Sequence, residues 1–240
     1  MDLTNKIFLP GIEKQISLFL NSVSTENKSV LIIGSGSEEI AKIFYENKAV
    51  EVYLIIDDED SLVQSRFALS KIKEINVRLM EYDNTDFKAD KFDIIYSQGS
   101  TGTKKRTRII KEIKRILKPG GFFCIGEIVS LTGTPPKFVK DIWDKSNLAS
   151  LHKKDLKEFY LSKGFDFISE KDLSGTLKDF YSMSKILLQE SSKEFSNEEA
   201  KSFKKILKTY SHEANAYLKL GGDKYIGYKM MVLRKVQVQE

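Results

Sequence analysis

The feature that most constrains the fold is an apolar run that ends in a glycine turn near residue 34. Val30–Ile33 contains only aliphatic side chains, and Gly34 and Gly36 follow it on either side of Ser35. Apolar residues then recur at helical spacing over residues 40–44. A buried strand, a tight turn and a helix start in this order are typical of α/β folds that hold a nucleotide-like ligand at a helix N-terminus.

The first half of the chain alternates between short apolar runs and segments with helical spacing. Such alternation predicts βαβ units and therefore a parallel sheet. The predicted strands are residues 29–34, 50–56, 77–82, 92–96 and 122–129. The predicted helices are residues 12–20, 38–46 and 62–75, followed by a basic helix that ends before the turn at 119–121. We therefore expect residues 30–34 to form a central strand.

The second half is richer in helices. Helical spacing follows the prolines at 135 and 136 and returns over 154–163, 180–189 and 200–220, with a short strand at 165–168 and a long final strand at 225–235. The sequence thus predicts an α/β fold, a doubly wound, seven-stranded, mainly parallel sheet whose last strand is antiparallel. We predict one domain over residues 1–240, with a helical lead-in at 1–28. The block 174–222 is too long for an ordinary connection, and it predicts a helical insertion that covers an active site.

Composition excludes several classes of protein. The chain has 240 residues and a net charge of +5, from 39 basic and 34 acidic side chains. No apolar run approaches the ~20 residues of a membrane span, and the N-terminus lacks the apolar core of a secretory signal. Cys124 is the sole cysteine, so no internal disulfide forms and a reducing, cytoplasmic location is expected. No Cys/His cluster has metal-ligand spacing, and we predict no metal site.

One dense basic run, Lys104–Arg108, continues through the basic residues of the segment 111–118. Isoleucines share this segment at helical spacing, which favours an amphipathic helix with a solvated basic face. No aromatic residues interleave the charges as a stacking platform for nucleic acid requires. We therefore do not expect nucleic acid to be a partner, whereas a homo- or hetero-oligomeric state is left open.

Five features in order carry a resemblance to a known family. They are the turn Gly34–Gly36, the acidic patch Asp57–Asp60, Asp83 after the third strand, Phe92–Ile95, and the phrase Arg115–Phe122 with its Leu-Lys-Pro-Gly-Gly sequence. Together they resemble the class I S-adenosylmethionine-dependent methyltransferases, in particular the methyltransferase type 11 subgroup of ubiquinone and menaquinone biosynthesis. The resemblance implies S-adenosylmethionine as the cofactor and a small molecule as the methyl acceptor.

The resemblance also implies roles for residues of the first turn and the second strand. Gly34 and Gly36, with Ser35 between them, would let the backbone approach the methionine part of the cofactor, where a side chain would clash. A carboxylate at the end of the second strand would accept hydrogen bonds from the ribose hydroxyls. Asp57 and Asp58 are the candidates for that carboxylate.

Further cofactor contacts are implied after the third and fourth strands. Asp83 would receive the adenine amino group, with the Asn84 backbone close to the ring. Ser97 and Gln98, which leave the fourth strand, would line the pocket beside the methyl group.

Three positions depart from the family pattern. Ile32 stands where an acid usually precedes the first glycine, and Glu38 replaces the third glycine. If Leu62 is aligned with the leucine that the family carries in its third helix, the position of the ribose-binding acid falls on Ile56, which is apolar. Loss of one charge-assisted hydrogen-bond set costs ~1.5–3 kcal/mol and weakens cofactor binding by roughly ten- to a hundredfold. The alternative to an enzyme is therefore a catalytically inactive, methyltransferase-like binding or regulatory subunit.

The orientation of three side chains separates these two functions. A carboxylate of Asp57 or Asp58 that faces the crevice above the glycine turn supports the enzyme. Glu38 in that crevice, with both aspartates facing solvent, supports the inactive subunit.

Residues on the acceptor side are less constrained, because methyl transfer from a sulfonium needs positioning more than a fixed triad. The candidate catalytic residues are His152, Tyr181 and His212. Five aromatic residues form a candidate wall around an apolar acceptor: Phe138, Trp143, Tyr160, Phe180 and Tyr181. The family's amide-methylating branch has an Asn/Asp-Pro-Pro-Tyr motif after the fourth strand, and residues 96–99 read Tyr-Ser-Gln-Gly instead. This difference argues against amino groups of DNA bases or glutamine as acceptors.

Overall fold

The computed structural model describes residues 7–194 and 211–237, and these form a sheet covered by helices on both faces. The strands are β1 Ser29–Ile33, β2 Glu51–Ile56, β3 Ile75–Leu79, β4 Phe92–Gln98, β5 Leu117–Ser130, β6 Leu151–His152, β7 Phe165–Asp172 and β8 Ile226–Lys235. The helices are α1 Ile12–Leu20, α2 Glu38–Glu46, α3 Glu59–Ala68, α4 Arg106–Ile116, α5 Lys137–Lys145, α6 Asp155–Ser162, α7 Leu177–Glu194 and, within the described range, α8 at 211–219.

The strand order is β3-β2-β1-β4-β5-β8-β7, with the two-residue β6 pairing with β5 off this path. Strand β1 lies between β2 and β4 and is parallel to both. Strand β8 is antiparallel to β5 and to β7. The predicted doubly wound sheet, the central position of β1 and the antiparallel final strand are confirmed.

Strand β1 shows why the sheet is covered on both faces. All five of its residues are buried. Val30 and Ile32 belong to an apolar cluster that also includes Phe19 of α1, whereas Leu31 and Ile33 belong to a cluster that includes Ile113 of α4. Because successive side chains of a strand point to opposite faces, a continuous aliphatic run requires an apolar layer on each face.

The predicted boundaries of the third helix and third strand were wrong by several residues. Helix α3 begins at Glu59, because the Asp58 carboxylate accepts a hydrogen bond from the Ser61 amide at 2.8 Å and caps the helix N-terminus. The helix ends at Ala68, and β3 starts at Ile75.

The fifth strand also begins earlier than predicted. Strand β5 starts at Leu117, and its pairing with β4 is irregular between Phe92 and Ile94. The Pro-Gly-Gly turn at 119–121 is accommodated inside this irregularity, with Gly120 at a φ of 74°.

The block 174–222 contains α7 and α8, and residues 195–210 lie outside the described part of the chain. The helix predicted at 200–220 is therefore described only at 211–219, and the helical insertion stays a prediction. Within residues 7–194 and 211–237, no helix is both long enough and apolar enough to cross a membrane.

Candidate functional site

A cavity of about 320 Å³ lies where β1, β2 and β4 end; we call it the inner cavity. The carboxyl ends of parallel strands are where open α/β sheets bind their ligands. Its lining comes from the N-terminal segment, the loops after these strands, and α7 and α8: Leu9, Pro10, Ser35, Asp57, Tyr82, Gln98, Gly99, Ser100, Thr103, Ile128, Ser146, Asn147, Leu148, Phe180, Tyr181 and Glu213.

The glycine turn after β1 is closely covered by other parts of the chain. Gly34 has a φ of +121°, and a Cβ there would lie 1.8 Å from the Ser100 hydroxyl oxygen. Gly36 has a φ of +79°, and a Cβ there would lie 3.5 Å from the Leu9 side chain. Both positions need glycine for backbone reasons alone. In addition, the space above Gly34 holds Ser100.

Asp57 faces the inner cavity next to the turn. It follows the last residue of β2 and lines the cavity together with Ser35 and Tyr82. Burial raises the pKa of Asp57 above its ordinary value, and the neighbouring Tyr82 hydroxyl opposes part of this rise. Burial and the adjacent Asp57 charge raise the pKa of Tyr82 well above its ordinary value, so the phenol keeps its proton.

Asp58 and Glu38 do not line the inner cavity, and their carboxylates accept hydrogen bonds from the glycine turn and from α3. Besides capping α3, the Asp58 carboxylate accepts a hydrogen bond from the Ser35 hydroxyl at 3.2 Å. The Glu38 carboxylate accepts a hydrogen bond from the Ser65 hydroxyl and so joins α2 to α3. The charge that replaces the family's third glycine is therefore directed to a neighbouring helix.

Gln98 ties the N-terminal segment across the end of the sheet. Its side-chain amide donates to the carbonyl oxygens of Pro10 at 3.0 Å and Ile12 at 2.9 Å, and its oxygen accepts from the Tyr96 hydroxyl at 2.7 Å. Ser97 is fully buried and lines neither this cavity nor the outer cavity defined below. Its hydroxyl has no hydrogen-bond partner among the described residues.

Asp83 and Asn84 lie away from the inner cavity. The Asp83 carboxylate pairs with Lys105 at 3.3 Å and with Arg108 at 3.0 Å, both at the start of α4. Asn84 is exposed, and its backbone N–H donates to the Glu81 carbonyl oxygen at 3.2 Å. These ion pairs partly neutralise the basic run at 104–108, as a solvated amphipathic helix requires.

A second cavity of about 330 Å³, the outer cavity, borders the first. Ser146 and Glu213 line both cavities, so these two side chains stand at the boundary. Glu213 is 6% exposed and accepts hydrogen bonds from the Ser146 hydroxyl and, at 3.5 Å, from the Tyr181 hydroxyl. Burial raises the pKa of Glu213 to about 7. Sequence reasoning missed this residue, because nothing in the amphipathic pattern of α8 marks one glutamate as buried.

The three predicted catalytic candidates are separated in the structure. Tyr181 lines the inner cavity, and His212 is exposed at the edge of the outer cavity. His152 pairs with Ser130 as part of β6 and lines neither cavity.

The predicted aromatic wall is also divided. Phe180 lines the inner cavity beside Tyr181, and Phe138 lines the outer cavity. Trp143 packs in the apolar cluster on the α1 face, and Tyr160 packs in the cluster on the α4 face.

Among the described residues, the structure contains no group of His, Cys, Asp and Glu that could hold a metal ion. Cys124 is buried, and burial raises the pKa of its thiol.

A family model described as "Methyltransferase domain" matches residues 31–125, the part of the chain that contains most of β1, all of β2 to β4 and most of β5. A search of curated proteins finds no match.

Many solved structures share the fold at low sequence identity. One is assigned as a sarcosine dimethylglycine methyltransferase from Galdieria sulphuraria, with a TM-score of 0.72, 18% identity and coverage of 93% of this chain and 84% of that one. The [4+2]-cyclase SpnF has a TM-score of 0.74 at 16% identity and coverage of 93% and 80%. Phosphoethanolamine N-methyltransferase 2 from Haemonchus contortus, in complex with S-adenosylhomocysteine, has a TM-score of 0.71 at 15% identity, and the match covers 93% of this chain and 53% of that one. Residues 31–125 thus carry a methyltransferase-domain core, and the chain has the fold of the class I methyltransferases.

Proposed function

We propose that the chain binds S-adenosylmethionine in the inner cavity and transfers its methyl group to a small molecule that enters through the outer cavity. The observation that carries the proposal is the position of Asp57. Asp57 lines the inner cavity beside Ser35 of the glycine turn, where a ribose acceptor is needed. Glu38, the side chain that would have closed the crevice, is bonded to Ser65 instead.

The charge of the inner cavity supports this cofactor over a nucleotide with phosphates. Of the described residues that line it, the charged ones are Asp57 and Glu213, both acidic. Phosphate groups are usually bound by cationic side chains or by a helix N-terminus. The cofactor carries a sulfonium and an ammonium group and no phosphate, so an anionic cavity favours it.

The similar structures support a small acceptor without identifying it. The names of those proteins refer to sarcosine and dimethylglycine in one case and to phosphoethanolamine in another. The cyclase among them is a reminder that this fold also hosts other reactions, so the site residues must decide.

One observation favours the second candidate, an inactive binding or regulatory subunit. Ser100 occupies the space directly above Gly34, and Leu9 lies over Gly36. Binding of the methionine part therefore requires the loop that carries Ser100 to move away from the turn. An inactive subunit would keep that loop in place.

Titration calorimetry with S-adenosylhomocysteine tests the proposal. Asp57→Asn is expected to weaken binding by roughly ten- to a hundredfold, because it removes the charge from a hydrogen-bond acceptor. Glu59→Gln is the matched control, since Glu59 is an exposed acid of the same acidic patch and lines neither cavity. Absence of binding to the unsubstituted protein at millimolar ligand would favour the inactive subunit. Equal loss in both variants would contradict the role given to Asp57.

A further inference from the structure

The boundary between the two cavities is built around one buried carboxylate. Glu213 and Ser146 line both cavities, and Tyr181 reaches the same carboxylate from the inner side. Ser35 and Asp57 line only the inner cavity, and Phe138 and Leu220 line only the outer cavity, so the two cavities lie on either side of this group. A molecule that enters through the outer cavity must therefore pass Glu213 to reach the cofactor.

The walls of the outer cavity are apolar, and its edge carries mixed charge. Phe138, Ile142, Ala216 and Leu220 supply the apolar surface. Among the described residues, the titratable side chains that line this cavity besides Glu213 are Asp141 and Lys145 of α5 and His212 of α8, and all three are exposed. Exposed charges are screened by water, whereas the buried carboxylate is not. Glu213 therefore dominates the electrostatics at the boundary.

We propose that the methyl acceptor is a small alkylamine whose nitrogen binds to the Glu213 carboxylate while its apolar part lies in the outer cavity. This inference rests on the proposed function, because it assigns the acceptor of the same site. A buried carboxylate attracts an ammonium group and repels a phosphate or carboxylate. The carboxylate also favours an alkylamine over the amino group of a nucleobase or an amide. Such an amino group is weakly basic and carries no positive charge to pair with the carboxylate.

The same carboxylate accepts the proton that methyl transfer requires the nitrogen to lose. The alkylammonium N–H donates to Glu213, and proton transfer gives a neutral amine and a protonated carboxyl group. Burial lowers the pKa of the ammonium, which assists this transfer. The nitrogen lone pair then forms a bond to the methyl carbon while the carbon–sulfur bond breaks and its electron pair goes to sulfur. The products are an N-methylated ammonium and S-adenosylhomocysteine.

Ser146 and Tyr181 hold the carboxylate in place for this step. Both hydroxyls donate to Glu213, one from the residue that follows α5 and one from α7. The two donors fix the orientation of the carboxylate, and among the described residues each oxygen accepts one hydrogen bond, which leaves it a second lone pair for the ammonium. Burial raises the pKa of Glu213 to about 7, a value suited to exchanging a proton near neutral pH.

Binding of three probes of similar shape tests the inference without any turnover. Calorimetry at pH 8 on the full chain saturated with S-adenosylhomocysteine compares n-butylamine, n-butanol and butyrate. We expect n-butylamine to bind about tenfold or more tightly than the other two, as a charge-assisted hydrogen bond requires. A carbon-13 titration of the Glu213 carboxyl group provides a second readout in the unsubstituted protein, and n-butylamine is expected to lower its pKa. Equal or tighter binding of butyrate, or an unchanged pKa, would overturn the inference.

Variants assign the effect to the carboxylate. Glu213→Gln is expected to abolish the preference for n-butylamine, while Asp144→Asn is expected to keep it. Asp144 is the matched control, because it is an exposed acid of α5 that lines neither cavity. Tyr181→Phe is expected to reduce the preference without abolishing it. Retained preference in Glu213→Gln would contradict the proposal.

The two proposals fail in different ways. If S-adenosylhomocysteine binds and the three probes bind alike, the amine inference is wrong and the cofactor proposal stands. If S-adenosylhomocysteine does not bind but n-butylamine still shifts the Glu213 titration in the free protein, the cofactor proposal is wrong and the amine site stands.

Discussion

Two adjacent aspartates at the end of β2 have different surroundings, because successive side chains of an extended chain point to opposite sides. Asp58 is extended, with φ −133° and ψ 143°, and its side chain turns back to cap α3. Asp57 precedes it and faces the inner cavity. The sequence offered both as candidates for the missing ribose acid and left open which of them, if either, takes that role. That decision depends on where β2 ends, and a one-residue shift reverses the face to which a side chain points.

The roles of Glu213 and Ser100 could not be predicted from the sequence, because they depend on tertiary contacts. Each acquires its role from a partner distant in the chain: Ser100 from Gly34, and Glu213 from Ser146 and Tyr181. A lone glutamate in an amphipathic helix is normally solvated, and only tertiary packing buries it.

The close contact between Gly34 and Ser100 makes a prediction about stability. Gly34→Ala places a methyl group 1.8 Å from the Ser100 hydroxyl oxygen at a φ of +121°, and we expect a loss of about 1–3 kcal/mol in the free energy of unfolding. Urea denaturation measures it. Gly133→Ala is the control, because nothing lies within 4 Å of a Cβ there. Adding Ser100→Gly to Gly34→Ala is expected to recover the steric part of the loss, and no recovery would contradict the proposed clash.

At the scale of elements, buried polar side chains fix how helices lie on the sheet. Gln15 of α1 donates to the Ser97 carbonyl oxygen at 3.1 Å and accepts from the Tyr228 hydroxyl at 2.6 Å. These bonds connect α1 to β4 and to β8. Because a buried amide without partners is costly, they favour a single orientation of the N-terminal helix.

Most elements could be predicted from periodicity, and their ends could not. Helices α1 and α2 were predicted with their observed bounds, because their apolar spacing begins and ends sharply. Helix α3 was misplaced, since the Asp58 cap determines its first turn rather than its weak apolar pattern. The early start of β5 depends on pairing with β4 across an irregularity, which local sequence does not encode.

A buried ion pair between α4 and β5 provides a test at this scale. Arg106 and Glu127 pair at 2.9 Å and are almost fully buried, and the Tyr160 hydroxyl of α6 donates to Glu127 at 2.5 Å. Glu127→Gln leaves the Arg106 charge buried and unpaired, and we expect a loss of ~3–5 kcal/mol in the free energy of unfolding. Glu26→Gln, which breaks the exposed pair with Lys48, is the control and should cost ~1 kcal/mol or less. Chemical denaturation measures both, and a loss of similar size in the two variants would contradict this account of the pair.

At the scale of the whole molecule, the proposed cofactor end and the proposed acceptor end of the site are built from different parts of the chain. The cofactor end is built from the loops after β1 and β2, within the segment 31–125 that matches the methyltransferase domain. The proposed acceptor end is built from α5 and α8, which follow that segment. This division explains why the sequence indicated the cofactor but not the acceptor: the cofactor motifs are local in sequence, whereas the acceptor end exists only once distant helices pack together.

The buried Glu213 links the acceptor end to the stability of the entire fold through pH. Its pKa is about 7 in the folded protein and ordinarily 4.5, so the folded state binds more protons than the unfolded state between these values. The contribution of Glu213 to stability is therefore fully present below about pH 4.5 and is lost as the pH rises through about 7, by on the order of 3 kcal/mol.

Glu213→Gln removes this dependence. We expect the stability of the variant relative to the unsubstituted protein to rise from pH 5 to pH 8. The measured quantity is the difference between the unfolding free energies of the two proteins at each pH. Using that difference cancels other groups, such as Asp57, whose raised pKa acts in the same direction, and Asp93, whose lowered pKa acts in the opposite one. A difference that stays constant from pH 5 to pH 8 would show that Glu213 is not a buried, titrating group, and the acceptor site proposed around it would lose its physical basis.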